Sequence, residues 1–288
     1  MTALRPDLRL HARVAVLDDG ARSGMERLLA EDPIVNSVVA ARVHAAGSLR
    51  AERLGGAMIG VGTDDALSGA CYSGGNLIPV GGDADSWEAL ADFVARRPQV
   101  CTSVVGRAEA VAAMWPRLER AWGSPRVVRA RQPLLVLDGL VSTPGDDEVR
   151  AALPSHLDRY LAAAAAMFTE ELGVSPHVSP GTSPFRARLR DLIATQRAFV
   201  RVDFRGQVTF KAEIGAVSRH TSQIQGVWVR PDLRGRGLAT AALATVFRHA
   251  LTLAPSVSLY VNEFNLPARR LYARLGMREH ATLSTVLL

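Results

Sequence analysis

The run Gly226-Val227-Trp228-Val229-Arg230-Pro231-Asp232-Leu233-Arg234-Gly235-Arg236-Gly237-Leu238-Ala239-Thr240 joins an apolar strand to a glycine-arginine turn and then to a run of good helix formers. Gly235 and Gly237 have no side chain to block their backbone, so successive N–H groups there can converge on one anion. The helix that follows adds the positive end of its dipole, and Arg234 and Arg236 add charge. Such a turn suits a phosphate or pyrophosphate. It is not a Walker loop, which ends in GK[ST], nor a GxGxxG turn followed by a ribose-binding carboxylate. Net charge points the same way. Residues 1–150 hold 17 basic and 19 acidic side chains, whereas residues 151–288 hold 17 and 9. The second half therefore attracts anions. Nucleic acid is the less favoured anion, because no long basic stripe with interleaved aromatics occurs.

Positioning that turn requires a strand to enter it and a helix to leave it. Ser222 to Val229 reads as the strand and Leu238 to Leu251 as the helix. Before them, residues 155–172 form an alanine-rich helix closed by Gly173, and a loop with Pro176, Pro180 and Gly181 spans Ser175 to Ser183. A second helix covers 184–196, with Phe185, Leu189 and Leu192 on one face. Ala198 to Phe204 and Gln207 to Val217 are strands around the Arg205-Gly206 turn. After the central helix come a strand at Ser256 to Val261, a short helix at Pro267 to Leu275 and a strand at Thr282 to Leu288. This order predicts an α/β fold with a mixed, mainly antiparallel sheet and a crevice where strands diverge. Gly226 within its strand suits either a bulge or close packing.

The first half repeats the order in weaker form. Helices are expected at Met25 to Leu29, Pro33 to Ala40, Trp87 to Arg96 and Ala108 to Ala121. Strands are expected at Gly56 to Gly62, Gly69 to Val80 and Val100 to Val105, and one or two strands at Val127 to Asp138. Its counterpart of the anion turn, Pro79 to Ser86, carries Asp83 and Asp85, which repel pyrophosphate. The division expected is 1–145 as a noncatalytic accessory domain and 146–288 as the catalytic one. Cys71 and Cys101 read as buried thiols. The histidines form no HExxH pair and support no metal site. No stretch is apolar enough to span a membrane and no signal peptide is apparent, so the expected location is cytoplasmic.

Arg234, Gly237 and Ala239 satisfy the acetyl-CoA-binding pattern Gln/Arg-x-x-Gly-x-Gly/Ala, and this segment resembles that of the GCN5-related N-acetyltransferase superfamily. Asn265-Leu266-Pro267-Ala268-Arg269-Arg270-Leu271-Tyr272-Ala273-Arg274-Leu275-Gly276-Met277 is similar to the superfamily's second motif, N-x-x-A-x-x-x-Y-x-x-x-G-[FM]. The resemblance covers about 149–288. Segments 160–174, 210–217 and 223–229 look more narrowly like an actinobacterial group with an extra amino-terminal domain, so the fold implied is a pair of tandem acetyltransferase-like domains, the first degenerate.

The resemblance implies acetyl-CoA as donor, held by Val227, Trp228, Val229, residues 234–240, Asn265 and Tyr272. The Tyr272 position often hydrogen-bonds or protonates the departing CoA sulfur in the superfamily, which makes it the preferred general acid here, with a buried aromatic anchor as its structural alternative. Where several members carry a catalytic glutamate this chain has Gln223, whose amide can only orient a water or an amine. Glu213, on the preceding strand, is the candidate base, with an ion pair to an arginine as its structural alternative and His220 as a second candidate. Trp228 and Phe210 suit either an acyl pocket or the core. Glu170 and Glu171 suit either a cationic acceptor or solvent, and Arg269 and Arg270 suit either phosphate or solvent. The function implied is acetyl transfer to a primary amine of a small molecule, peptide or protein. The alternative is a noncatalytic regulatory acyl-CoA-binding protein. The first domain is open to shielding a sheet edge or forming a homodimer surface.

Overall fold

The computed structural model describes residues 14–173 and 183–288. The loop expected at Ser175 to Ser183 lies, up to residue 182, outside the described residues. Along the chain the elements are β1 (Val14–Val16), α1 (Arg22–Glu31), α2 (Ser37–Ala46), α3 (Ala51–Leu54), β2 (Ala57–Thr63), β3 (Ala66–Ser73), β4 (Leu77–Val80), α4 (Ala84–Ala95), β5 (Ser103–Arg107), α5 (Ala108–Trp122) and β6 (Val127–Leu137). Then follow β7 (Arg150–Ala151), α6 (Leu157–Leu172), α7 (Pro184–Ala194), β8 (Ala198–Val202), β9 (Val208–Val217), β10 (Ser222–Val229), α8 (Leu238–Leu253), β11 (Val257–Tyr260), α9 (Leu266–Arg274) and β12 (Arg278–Leu287). No described helix is long and apolar enough to cross a membrane.

Two compact units result, and neither is a single stretch of chain. One holds the described residues up to Asp32 with Arg42–Ala130 and Leu283–Leu288; the other holds Pro33–Ala41 with Arg131–Thr282. The expected cut between 145 and 146 does not describe this assembly, because two strands exchange partners. The second half of β6 pairs antiparallel with β11, Leu134 to Leu137 facing Tyr260 to Val257. The end of β12 pairs antiparallel with β5, Leu283 to Leu287 facing Arg107 to Ser103.

Each unit repeats one topology. In the first, β1 to β4 are antiparallel neighbours, β4 runs parallel to β5 after the α4 crossover, and β12 closes the row. In the second, β7 to β10 are antiparallel neighbours, β10 runs parallel to β11 after α8, and β6 closes the row. The architecture is the mixed, mainly antiparallel α/β fold that the element order implies.

β9 is buried without a break from Val208 to Ile214, so both of its faces are covered. In the second unit Phe210, Ala212 and Ile214 of β9 join Ala242, Leu243, Val246 and Phe247 of α8 in one core. A second core joins Tyr160, Leu161 and Ala164 of α6 to Leu189, Leu192 and Ile193 of α7, with Trp228. Phe210 and Trp228 are thus core aromatics, 0% and 7% exposed. The first unit packs Ile59, Leu77, Leu90, Val104 and Met114 around Cys71 and Cys101. Both thiols are free and buried, and burial pushes the Cys71 thiol up to about 12. One expected strand is really two: Ser73-Gly74-Gly75-Asn76 turns the chain between β3 and β4, a break that the apolar flanks conceal.

Candidate active site

The site begins with a defect in β10. Gln225 faces Glu213 and Trp228 faces Lys211, so three steps on β10 match two on β9. The extra residue is a bulge, and Gly226 supplies its positive φ of 60°. Close packing is the second reason for glycine here. A Cβ at Gly226 would stand 2.9 Å from both Glu213 Oε1 and Lys211 Nζ.

Immediately beside the bulge the sheet opens. β10 and β11 pair only at Ser222 with Val257 and at Gln223 with Ser258. Past that point β10 pairs with β9 alone, so the backbone of Val227, Trp228 and Val229 borders the crevice. These are the residues whose N–H groups the sequence nominates.

The far wall is the glycine-arginine turn. Gly235 and Gly237 have φ of 74° and 80°, and no atom lies within 4 Å of where a Cβ would stand on either. Gly237 is the N-cap of the 16-residue α8, whose first N–H groups have no carbonyl a full turn back within the helix. Arg234 is placed more tightly than a free anion ligand would be: Nε donates to Val229 O at 2.9 Å and Nη2 to Glu170 Oε2 at 2.6 Å. The other Glu170 oxygen accepts from Trp228 Nε1 at 3.2 Å. Glu170 therefore ties the turn to the strand end. Arg236 is exposed on the same turn.

Tyr272 is 6% exposed and belongs to the core under α8. Burial pushes its phenol well above the ordinary range, and the Glu171 carboxylate pushes it the same way. Among the described residues nothing accepts a hydrogen bond from its hydroxyl. Asn265 starts the same helix as its N-cap, its side chain accepting from Ala268 N at 3.2 Å. It orients the helix that carries Tyr272.

Glu213 lies between two cations. It is 3% exposed, with Oε1 2.8 Å from Lys211 Nζ and Oε2 2.8 Å from Arg188 Nη2. Lys211, the only lysine of the chain, is 0% exposed and also donates to Gly226 O at 2.8 Å. Burial raises the Glu213 pKa, but Lys211 and Arg188 together outweigh it, leaving the carboxylate below its ordinary range. A carboxylate with both oxygens engaged by cations is a poor proton acceptor. Glu213 is a member of a buried charge network, and its contact with Arg188 is the ion pair to an arginine that stands as the structural alternative to a base. The sequence carries a signal for this: Lys211 and Glu213 are two apart in an otherwise apolar strand and must share a face.

The remaining candidates lie outside the crevice's paired walls. Gln223 is buried at 5% exposure where β10 still has both neighbours. His220 is exposed in the β9–β10 turn, at the other end of β10 from the bulge. Arg269 Nη1 donates to Glu263 O at 3.4 Å.

The first unit's counterpart turn is filled by its own side chains. Trp87 Nε1 donates to Gly81 O at 2.8 Å, and a Cβ on Gly82 would stand 2.8 Å from that nitrogen. Asp83 caps α4 by accepting from Ser86 N at 3.0 Å. The glycines here serve packing.

Residues 185–277 match the acetyltransferase (GNAT) family, and residues 56–160 match a domain of unknown function, DUF4081. No curated protein matches the sequence. Among solved structures, a Drosophila protein is 14% identical, with 96% of this chain and 99% of that one covered, at a TM-score of 0.64. A GCN5-related N-acetyltransferase from Sphaerobacter thermophilus is 20% identical, with 98% and 95% covered, at 0.57. A GNAT-family acetyltransferase from Colwellia psychrerythraea is 12% identical, with 96% and 99% covered, at 0.56. At these identities the likeness is one of fold.

Proposed function

We propose, starting from the match of residues 185–277 to the acetyltransferase (GNAT) family, that the protein transfers an acetyl group from acetyl-CoA to a primary amine of a small molecule, peptide or protein. The observation that carries this reading is the conjunction, on one crevice, of the Gly226 bulge, the parting of β10 from β11 and the open turn at Gly235 and Gly237.

Donor and crevice fit each other on that evidence. The N–H groups at the start of α8 and the helix dipole would hold the pyrophosphate, and the β10 edge from Val227 to Val229 would hold the pantetheine arm. When bound, acetyl-CoA supplies an activated acyl thioester. The chain's own residues do the rest. The bulge presents a fixed N–H to the carbonyl oxygen as negative charge develops there. Tyr272 keeps its proton at neutral pH and offers it to the leaving sulfur. With Glu213 ion-paired, the amine's proton goes to water, and Gln223 has no acidic role.

We assign the first unit as a noncatalytic acetyltransferase-like partner. Its repeated strand order and filled turn support that assignment, as do Asp83 and Asp85 at the position where an anion would lie. The catalytic function is tested by CoA release against a broad panel of primary amines. Tight acetyl-CoA binding with no amine-dependent release would instead support the regulatory acyl-CoA-binding reading, which the engaged state of Glu213 favours.

Donor binding has its own test. Gly237→Val forces a β-branched residue to φ 80° and narrows the open turn. Calorimetry is expected to show acetyl-CoA affinity reduced by about tenfold or more, the strain of a left-handed residue being about 1–2 kcal/mol before any clash. Unchanged affinity would remove the turn from the donor site.

A further inference from the structure

A lysine at 0% exposure in the middle of a strand has to be matched at its ammonium, and Lys211 is matched on two sides. Its Nζ lies 2.8 Å from Glu213 Oε1 and donates to Gly226 O at 2.8 Å. The Tyr160 ring covers a third side, its centroid 5.2 Å from Nζ. Glu213 Oε2 carries the network on to Arg188 Nη2 at 2.8 Å, so two cations stand against one carboxylate.

That excess is the telling feature. Neutralising Glu213 needs one cation, and the half-exposed Arg188 already supplies it. Burying a second ammonium in full costs desolvation that an apolar side chain would avoid. What the second cation adds is its bond to the bulge.

The bonded carbonyl belongs to the peptide group that joins Gly226 to Val227. No described peptide bond is cis, so the Val227 N–H points away from the oxygen that Lys211 holds. It lies where β10 lacks a neighbour on either side. The β9 register passes from Gln225 to Trp228 with no partner for Gly226 or Val227, and β11 has parted after Gln223. A cation on the oxygen of a peptide group draws electron density from its nitrogen, which makes the N–H a stronger donor. Glycine is part of the arrangement, because a Cβ at Gly226 would stand 2.9 Å from Lys211 Nζ.

We infer that Lys211 is a positioning residue for acyl transfer: its charge-assisted bond to Gly226 O fixes and polarises the peptide group whose N–H meets the thioester carbonyl oxygen. The role rests on the acetyl transfer proposed above and adds the group that stands behind its oxyanion donor. Lys211 itself touches no substrate. The transition state gains more than the ground state, because the strengthened donor then faces more negative charge.

The test binds acetyl-CoA labelled with ¹³C at the acetyl carbonyl to the full chain and reads its C=O stretch by difference infrared spectroscopy, which needs no acceptor. In the parent the band should move to lower frequency on binding. Two double variants remove the charge: Lys211→Gln with Glu213→Gln keeps hydrogen-bonding groups, and Lys211→Met with Glu213→Leu keeps none. In each the bound band should lie nearer that of free acetyl-CoA, and either variant alone decides. Calorimetric affinity for acetyl-CoA should change little, since the donor's anchors lie on the Gly235 turn. With an amine that supports CoA release, kcat should fall by about tenfold in the glutamine pair and further in the apolar pair, toward the ~10²–10³-fold of losing an oxyanion donor outright, with KM little changed. A bound band at the parent frequency in both variants overturns the proposal and leaves the donor reading intact. Loss of acetyl-CoA affinity in both overturns it too, making Lys211 part of the scaffold. A parent that binds no acetyl-CoA overturns the donor reading itself, and the role of Lys211 with it.

Discussion

Lys211→Met is expected to destabilise the second unit by about 3–5 kcal/mol, the cost of breaking a buried ion pair and leaving one charge unmatched. That is a large part of the ~5–15 kcal/mol that holds a domain folded. The loss has two parts. Glu213 stays 3% exposed with only Arg188 opposite, and Gly226 O loses its donor at the bulge. Thermal unfolding of the variant measures their sum. Lys211→Met combined with Glu213→Leu separates them. Removing both charges should restore much of the stability, because apolar replacement of a buried pair is often neutral, and Arg188 is 44% exposed and can turn to water. Transfer activity should not return, since nothing then fixes the Gly226 carbonyl. Full recovery of both stability and activity would reduce Lys211 to packing.

The same network sets an acid limit. The folded pKa of Glu213 lies below its unfolded value, so its contribution is present above the ordinary glutamate range. It is lost as pH falls through the depressed folded value. Parent protein should therefore lose stability on acidification, and the double variant should lose less. A parent and double variant with the same acid midpoint would contradict this.

Several of these residues are legible in the amino-acid sequence alone, and the reason is local. Gly235, Gly237 and the α8 start act through backbone geometry confined to a few consecutive residues. The bulge is half legible: glycine in a strand signals a departure from regularity, but only the partner strand shows that one extra residue is present. The fate of Glu213 is legible in principle, through Lys211 two positions away. A lysine in a strand suggests an edge or solvent, however, until α6 and α7 are known to cover that face. The strand exchange is not legible at all. β6 and β12 look like ordinary terminal strands, and their partners β11 and β5 lie more than a hundred residues away in sequence. Pattern determines that a strand forms; which strand it pairs with depends on tertiary contacts.

Tyr272→Phe is expected to lower kcat by about 10²–10³-fold, the range for losing one donor to a charge that develops in the transition state. The size of the effect follows from the kind of acid Tyr272 is. Burial and Glu171 raise its phenol above the usual value, further above that of a thiol, which ionises near pH ~8.5. Complete proton transfer to a thiolate is uphill from such a phenol, so its main contribution is the hydrogen bond to departing sulfur. The raised pKa also fixes the pH behaviour. Tyr272 stays protonated up to and beyond the ordinary tyrosine value, so it should impose no alkaline fall on the rate below about pH 10. The parent rate should instead climb as more of the acceptor amine becomes neutral, because no side-chain base limits it. The ratio of parent to variant should stay constant across that climb. KM for acetyl-CoA should change little, since the donor's anchors lie on the Gly235 turn. Stability should also change little, because the hydroxyl has no hydrogen-bond partner among the described residues to lose. An equal fall in kcat and thermal stability would make Tyr272 a packing residue. A rate ratio that shrank toward high pH would mean that the phenol ionises within the working range and donates its proton outright.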